Sequence, residues 1–176
     1  MTIVETALEG VFLIEPQLHA DRRGFFARLY DEDELSSFGI ETRVAQYAVS
    51  FNESAATLRG LHYQEAPYGE TKVVRCTSGM LFDVVADLRA ASPTRYQWIG
   101  YELSAANRRC LIVPPGCAHG FLTLVDATEI TYLISVPYVA EAQRGVRWDD
   151  PMLKISWPAA PKVIGERDTA LAFLQS

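Results

Sequence analysis

Short runs of alternating residues, separated by turn residues, constrain this chain more than any other feature. In the run 80–88, every second residue from Phe82 falls on one face, while Asp83 and Val85 fall on the other. Turn-forming sequences such as Ser78-Gly79 and Pro114-Pro115-Gly116 separate such runs. Similar runs are Val11–Ile14, Lys72–Thr77, Tyr96–Leu103, Arg109–Val113, His119–Leu124 and Thr128–Ser135. Short strands at roughly ten-residue spacing predict an all-β fold, as a sandwich, jelly roll or barrel.

Helix is scarce in this pattern. Asp31 to Gly39 has acidic residues in its first turn and a glycine stop, so it predicts one short helix. The segment Asp168 to Phe173 predicts a last turn or two. Trp157 to Pro161 contains two prolines, which remove ladder donors, so we expect it to lie outside the barrel.

Length and composition bound the class of protein. A chain of 176 residues predicts a single domain over 1–176. Its 49% hydrophobic and 11% aromatic content exclude intrinsic disorder. The formal net charge of −6 excludes a whole-chain basic surface, so we predict no nucleic-acid partner, although a local basic pocket stays possible.

The compartment follows from what the sequence lacks. The first residues show no basic segment followed by an apolar run, so no signal peptide is predicted. No stretch approaches the roughly 20 apolar residues of a membrane helix, so no membrane partner is predicted. Cys76, Cys110 and Cys117 are too widely spaced for a CxxC motif and lie in apolar surroundings, which predicts buried thiols. We therefore expect a cytoplasmic protein.

Few residues can carry chemistry. Among the three histidines, His62 and His119 lie between apolar residues, with no HxH pair and no carboxylate at ligand spacing. This pattern disfavours a metal site, because iron and zinc sites combine several close ligands. The chain also lacks GxSxG, GxGxxG and GxxxxGK[ST] motifs.

With these kinds of site disfavoured, acid–base chemistry without a cofactor remains. Its candidate residues lie in or next to predicted strands and are His62, Lys72, Tyr132 and Asp168. Tyr132 shares its face with Ile130 and Ile134. Each of these residues also has a purely structural interpretation. His62 could be a hydrogen-bonded core histidine, Tyr132 a packing tyrosine and Asp168 a helix cap.

A series of collinear motifs decides between these interpretations. They cover nearly the whole chain: Asp21-Arg22-Arg23-Gly24-Phe25-Phe26, Leu58-Arg59-Gly60-Leu61-His62-Tyr63-Gln64, Lys72-Val73-Val74-Arg75-Cys76, Phe82-Asp83-Val84, Asp87-Leu88-Arg89, Ser92-Pro93-Thr94, Leu103-Ser104-Ala105-Ala106-Asn107, Pro115-Gly116-Cys117-Ala118-His119-Gly120-Phe121, Trp148-Asp149-Asp150-Pro151 and Trp157-Pro158. In these motifs the chain resembles the nucleotide-sugar epimerases of the dTDP-4-dehydrorhamnose 3,5-epimerase type.

The resemblance implies a cupin-like jelly roll that acts as a homodimer without metal or cofactor. Its substrate would be a nucleoside-diphospho-4-keto-6-deoxyhexose, epimerised at C3 and C5, which both flank the C4 ketone. His62 would be the general base and Tyr132 the acid that returns a proton from the opposite face. Asp168 would orient His62, and Lys72 would stabilise the enolate oxygen.

The resemblance also implies a substrate-binding set. Arg23, Arg59 and Arg167 would bind the diphosphate, since a guanidinium contacts two phosphate oxygens at once. His119 would line the sugar pocket, and Tyr138 would stack on the base. The family pattern adds three further binding positions, which are Phe26, Gln46 and Gln143.

Several positions depart from the family pattern and leave alternatives open. Ala27-Arg28 follows the paired phenylalanines, and Tyr47-Ala48 follows Gln46, where relatives often carry hydrogen-bond partners for the base. Further departures are Leu133, Pro137, Gln143 and Arg167. A CDP- or other NDP-sugar therefore stays open, as does inversion at only C3 or only C5. Other hypotheses are a non-catalytic sugar-nucleotide-binding cupin, a 3,4-ketoisomerase and a metal cupin.

Overall fold

Antiparallel strands form nearly all the regular structure of the chain. The computed structural model describes residues 1–175. The strands of this range are β1 (Thr2–Glu5), β2 (Phe12–Glu15), β3 (His19–Asp21), β4 (Gly24–Phe26), β5 (Gln46–Asn52), β6 (Thr57–Gln64), β7 (Lys72–Ser78), β8 (Met80–Asp87), β9 (Trp98–Ser104), β10 (Cys110–Val113), β11 (Cys117–Thr123), β12 (Thr128–Ile134), β13 (Gln143–Gly145) and β14 (Val163–Ile164). The helices are α1 (Glu32–Ser37), a 3₁₀ turn (Ala140–Ala142) and α2 (Glu166–Thr169).

Two sheets face each other across the core. The first has the order β1-β2-β10-β7-β12-β5, and the second has the order β13-β6-β11-β8-β9, with β14 parallel to β6. Strands β3 and β4 form a separate hairpin. Neighbours in the sheets are often distant in sequence, as in a jelly roll. The predicted all-β, cupin-like jelly roll with one or two short helices is therefore confirmed.

Strand register shows which residues face the interior between the sheets. In the first sheet Val74 pairs with both Leu111 and Tyr132, and in the second Val85 pairs with His119. Directly paired residues point to the same face. The interior core contains Val74, Val85, Leu111 and Tyr132 together with Leu81, Leu103, Phe121 and Ile130. The other face of β8, carrying Val84 and Ala86, lies under a second apolar cluster that includes Trp157.

Both parts of the helix prediction can be compared with the structure. Helix α1 begins after Asp31, whose carboxylate accepts a hydrogen bond from the Glu34 N–H at 3.0 Å, and Gly39 follows with a φ of +72°. The predicted C-terminal turn is wrong in position, because the helix ends at Thr169. The following residues run beside the 147–150 loop, where the Leu174 N–H donates to Asp150.

One irregularity in the second sheet determines which way its side chains point. His119 pairs with His62 and Phe121 pairs with Arg59, so β6 carries one extra residue, a β-bulge, between two positions of β11. Without the bulge, Arg59 and His62 would face opposite sides of the sheet. Gly60 and Gly120 lie back to back at the bulge, where a Cβ on Gly60 would lie 2.6 Å from the Gly120 Cα.

The bulge predicts a large cost for a methyl group at Gly60. Gly60→Ala meets both the Gly120 backbone and a φ of +116°, so we expect about 1–3 kcal/mol or more of lost unfolding free energy. Gly165→Ala is the matched control, because no atom lies within 4 Å of its Cβ position. Urea denaturation measures both variants. A Gly60→Ala protein as stable as wild type would refute the tight backbone approach.

Candidate active site

Side chains from both sheets converge on one end of the barrel interior. The second sheet contributes His62 and His119, which pair directly and share its inner face. The first sheet contributes Lys72 and Tyr132, which lie on the same inner face as Val74. The ring centroids of His119 and Tyr132 lie 6.1 Å apart across the interior. The predicted base and acid therefore project from different sheets into the same interior.

The His62 imidazole is held by Asp168 of α2. The Nε2 atom of His62 lies 2.6 Å from Asp168 Oδ1, while Oδ2 accepts the Gly60 N–H at 2.9 Å. Burial opposes ionisation of Asp168, but hydrogen bonds from His62 and Gly60 hold its pKa below the ordinary value. An ionised carboxylate only accepts hydrogen bonds, so Nε2 must carry a proton. Nδ1 then presents a lone pair, as a general base requires.

The ammonium of Lys72 is buried with a counter-charge. Its Nζ lies 2.7 Å from Glu70 Oε1 and 3.4 Å from the carbonyl oxygen of His62. Each side chain of the pair is about 10% exposed. A positive charge in a water-poor cavity interacts strongly with any negative charge that develops nearby.

Tyr132 stays protonated in this environment. Burial raises the pKa of its phenol above the ordinary value, and the nearby Asp83 carboxylate raises that pKa further. The phenol therefore keeps its proton at neutral pH. This is the state that a proton donor requires.

A second histidine–aspartate pair lies deeper in the interior. His119 Nε2 lies 2.6 Å from Asp83 Oδ1, and both side chains are buried. Burial raises the pKa of Asp83, while the nearby His119 and Lys72 act in the other direction and lower it. Asp83 Oδ2 is buried without a hydrogen-bond partner among residues 1–175. Buried carboxylate oxygens usually have a hydrogen-bond partner, so this atom is an exception beside the site.

A smaller cavity of about 360 Å³ opens beside this interior and is lined by Arg59, Arg167 and Asp168. The Arg59 guanidinium is held by Asn52 Oδ1 at 2.8 Å. Two guanidinium groups next to a carboxylate that already binds His62 form a local cationic site in an acidic protein. A larger cavity, of about 630 Å³, lies between the first strands and α1 and contains none of the predicted site residues.

The remaining predicted binding residues divide into two groups. Tyr138, Gln143 and Gln46 lie near the site: Tyr138 follows β12, Gln143 pairs with Gln64, and Gln46 pairs with Ile134 beside Lys72. Arg23 and Phe26 lie instead on the exposed β3–β4 hairpin.

The hairpin lies away from the site of its own chain. The hairpin follows β2, whose last residues pair with the beginning of β10, as Ile14 does with Cys110. Lys72 pairs with Val113, at the opposite end of β10. The Arg108 guanidinium, just before β10, stacks 4.4 Å from the Phe25 ring of the hairpin. One chain therefore does not bring Arg23 and Phe26 to its own Lys72.

Sequence reasoning missed three buried polar residues of the site, which are Asp83, Glu70 and Gln64. Asp83 was detectable, because it shares a face with Val85 in a run that is otherwise apolar. Glu70 and Gln64 carry no such signal, since what places them at the site is the contact of their side chains with each other and with Lys72. In the range 1–175, no group of three or more His, Cys, Asp or Glu side chains is arranged to hold a metal ion.

Comparison with known proteins agrees with this geometry. A family model described as dTDP-4-dehydrorhamnose 3,5-epimerase matches residues 5–176. The chain belongs to this family. A Sinorhizobium fredii dTDP-4-dehydrorhamnose 3,5-epimerase is 42% identical over 165 residues, covering 93% of this chain and 85% of that protein. Family membership makes the chain an isomerase.

Two solved structures extend the comparison. The Bacillus anthracis 3,5-epimerase, solved with TDP and PPi bound, superposes with a TM-score of 0.94 at 41% identity, covering 98% of this chain and 99% of that one. A Legionella pneumophila 3,5-epimerase in complex with dTDP-4-keto-L-rhamnose has a TM-score of 0.90 at 34% identity, covering 98% and 92%. These similarities span the whole jelly roll and the site.

The His62–Asp168 pair predicts a severe effect of an isosteric change. In Asp168→Asn, the amide oxygen can still accept the Gly60 N–H, but its NH₂ then faces His62 Nε2. The imidazole must turn its lone pair to Nε2, so Nδ1 loses its basicity. We expect kcat to fall about 10²- to 10⁴-fold. Asp149→Asn, at a partly exposed ion pair, is the control. More than a tenth of wild-type kcat in Asp168→Asn would contradict this role.

Proposed function

We propose that this epimerase inverts C3 and C5 of a nucleoside-diphospho-4-dehydro-6-deoxyhexose. The single observation that carries this proposal is the placement of His62 and Tyr132 on the facing inner surfaces of the two sheets, with His119, the strand partner of His62, in ring contact with Tyr132. Removing hydrogen from either carbon produces an enolate with its charge on O4. A site for such chemistry needs a base on one face of the sugar, an acid on the other and a cation at O4.

The residues supply these functions in order. His62 Nδ1 takes the proton from carbon, and the electron pair of the broken C–H bond moves through the carbonyl to O4. The ammonium of Lys72 stabilises the charge on O4, and removing such a group costs on the order of 10²- to 10³-fold in rate. The Tyr132 hydroxyl then delivers its proton to the opposite face of the carbon, which inverts that centre. Proton return from His62 to Tyr132 completes the cycle.

The cationic cavity suits the rest of the substrate. Arg59 and Arg167 line it together, and two guanidinium groups match a diphosphate. Tyr138 is 54% exposed and offers an aromatic face for the base. The bound TDP of the Bacillus anthracis structure supports dTDP as the carrier, and the dTDP-4-keto-L-rhamnose of the Legionella pneumophila structure supports the sugar.

Proton exchange from D₂O tests the assignment of base and acid. The wild-type enzyme incorporates deuterium at C3 and C5 of a 4-keto sugar nucleotide, followed by NMR, and His62→Ala abolishes exchange at both carbons. Tyr132→Phe lowers net inversion by about 10²-fold or more but retains exchange, because His62 can return a proton on its own face. Inversion at the wild-type rate in Tyr132→Phe would show that another group is the acid. Wild-type exchange at one carbon alone would identify a single-site epimerase.

We also propose a homodimer in which the hairpin of one chain serves the site of the other. The outward side chains of β5 are large, apolar and exposed: Tyr47 is 71% exposed, Val49 62% and Phe51 52%. This strand lies at a sheet edge, where uncovered apolar residues favour association. The exposed Arg23 and Phe26, which one chain holds away from its own Lys72, would then reach the partner's site.

A mixing experiment tests this exchange of residues. In a heterodimer of His62→Ala and Arg23→Ala chains, one site contains both changes and the other is intact, provided that Arg23 acts in the partner. Mixing two weakly active variants then restores on the order of a quarter of wild-type activity. If Arg23 serves its own chain, every site stays defective and no activity returns. Sedimentation of the wild-type protein measures the oligomeric state independently.

We retain the cytoplasm as the proposed compartment. Cys76, Cys110 and Cys117 are buried free thiols, which is usual for proteins of reducing compartments. Within residues 1–175, no helix has the length and apolar character needed to cross a membrane.

A further inference from the structure

Gln64 is a buried amide whose hydrogen-bonding groups are all used. Its Oε1 accepts the Val139 N–H at 2.6 Å, and its Nε2 donates to Glu70 Oε2 at 2.9 Å. The same Nε2 lies 3.3 Å from the carbonyl oxygens of Tyr68 and Pro137. The amide has one orientation, because Oε1 faces a donor and Nε2 faces only acceptors. Gln64 therefore holds two chain segments at a fixed distance.

Glu70 extends this contact to the catalytic lysine. One carboxylate oxygen binds Gln64, and the other lies 2.7 Å from Lys72 Nζ. With side chains that are about 10% exposed, the pair is partly removed from water, where charge-assisted hydrogen bonds are strong and directional. Glu70 thus fixes the position of the ammonium as well as balancing its charge.

Tyr138 lies between the two residues that Gln64 holds, Pro137 and Val139. Its side chain is 54% exposed, so the backbone is fixed while the ring is free to stack. Just before it, Ser135 and Thr71 exchange hydrogen bonds, with the Thr71 N–H donating to Ser135 Oγ at 2.9 Å and the Ser135 N–H donating to the Thr71 carbonyl at 3.0 Å. The segment with Tyr138 is thus joined to the segment with Lys72.

We propose that Gln64 and Glu70 are positioning residues that set the distance between the Lys72 ammonium and the Tyr138 ring. We call the two side chains the Gln64–Glu70 bridge. This inference rests on the proposed function, in which Lys72 binds the sugar O4 and Tyr138 stacks on the nucleotide base. The bridge thereby matches the site to the length of a nucleoside-diphospho-sugar. It allows binding of the nucleotide to hold the ketone at the ammonium.

Substitutions at Gln64 and at Glu70 test the two contacts of the bridge independently, Gln64 with the Tyr138 segment and Glu70 with Lys72. Gln64→Leu removes every contact to the Tyr138 segment, and Gln64→Met is a second variant in case the branched side chain impairs folding. Glu70→Gln is isosteric, but its amide has one oxygen. Its NH₂ group takes the place of one carboxylate oxygen and therefore faces a donor, either Lys72 Nζ or Gln64 Nε2. Exposed residues provide matched controls, Gln97→Leu and Glu102→Gln.

Nucleotide binding, measured without turnover, tests the contact of Gln64 with the Tyr138 segment. The probe is whichever of dTDP, CDP, UDP and GDP the wild-type protein binds most tightly in calorimetry. Gln64→Leu weakens its binding about tenfold, the equivalent of one lost hydrogen-bonded contact, and Tyr138→Ala weakens it similarly. In the Tyr138→Ala background, Gln64→Leu adds no further loss, because it acts through that ring. Fully additive losses, or unchanged affinity in Gln64→Leu, would overturn the proposal.

Turnover tests the contact of Glu70 with Lys72. Glu70→Gln lowers kcat about tenfold while nucleotide affinity stays within about twofold, since the ammonium and not the stacking ring is displaced. A Glu70→Gln enzyme with wild-type kcat, or with its loss confined to KM, would overturn the positioning role. If wild-type enzyme exchanges no deuterium with any 4-keto sugar nucleotide, the proposed function fails. The binding series still decides whether Gln64 acts through Tyr138.

Discussion

The close approach of two glycine backbones, Gly60 and Gly120, determines the direction of the side chains in the second sheet. Because neither residue carries a Cβ, β6 can bulge against β11, and Arg59 and His62 then face the same side. His62 is thereby directed into the interior, and the Gly60 N–H is freed to bind Asp168. The base and the carboxylate that orients it therefore depend on the same bulge.

Hydrogen bonding and burial fix the protonation state of two groups at the site. Hydrogen bonds from His62 and Gly60 hold the pKa of Asp168 low, so it remains an acceptor. Burial raises the pKa of Tyr132, so it remains a donor. An ionised Asp168 keeps its hydrogen bond to His62 Nε2, and a protonated Tyr132 keeps a proton to deliver. The orienting carboxylate and the proton donor are thus both held in the state that the proposed mechanism needs.

The sequence predicted those elements in which local pattern and tertiary packing agree. The alternation around Asp83 and Tyr132 gave the correct division of side chains between two faces, and Asp31 gave the correct start of α1. Strand β5 was missed because its large apolar residues, such as Tyr47, point outward and its small or polar residues point inward. This inversion is typical of a surface that a partner covers.

The site was predictable only in part. His62, Lys72, Tyr132 and Asp168 were found through motif resemblance; the structure places Asp168 and Lys72 in contact with His62, and Tyr132 on the same inner face as Lys72. Glu70 and Gln64 were missed because the side-chain contacts that place them at the site leave no periodic pattern, whereas Asp83 was overlooked although its strand pattern places it on the face of Val85. Arg23 and Phe26 were predicted beside the substrate, whereas the structure places them on the exposed β3–β4 hairpin, away from Lys72 of the same chain.

The central claim is that His62 and Tyr132 approach one sugar ring from opposite faces. A crystal structure of the complex with a 4-keto-6-deoxyhexose nucleotide measures this directly. The account predicts that His62 Nδ1 and Tyr132 Oη each lie about 3–3.5 Å from a reacting carbon, on opposite sides of the hexose plane. Both atoms on the same side, or a ring bound outside the space between the two sheets, would contradict it.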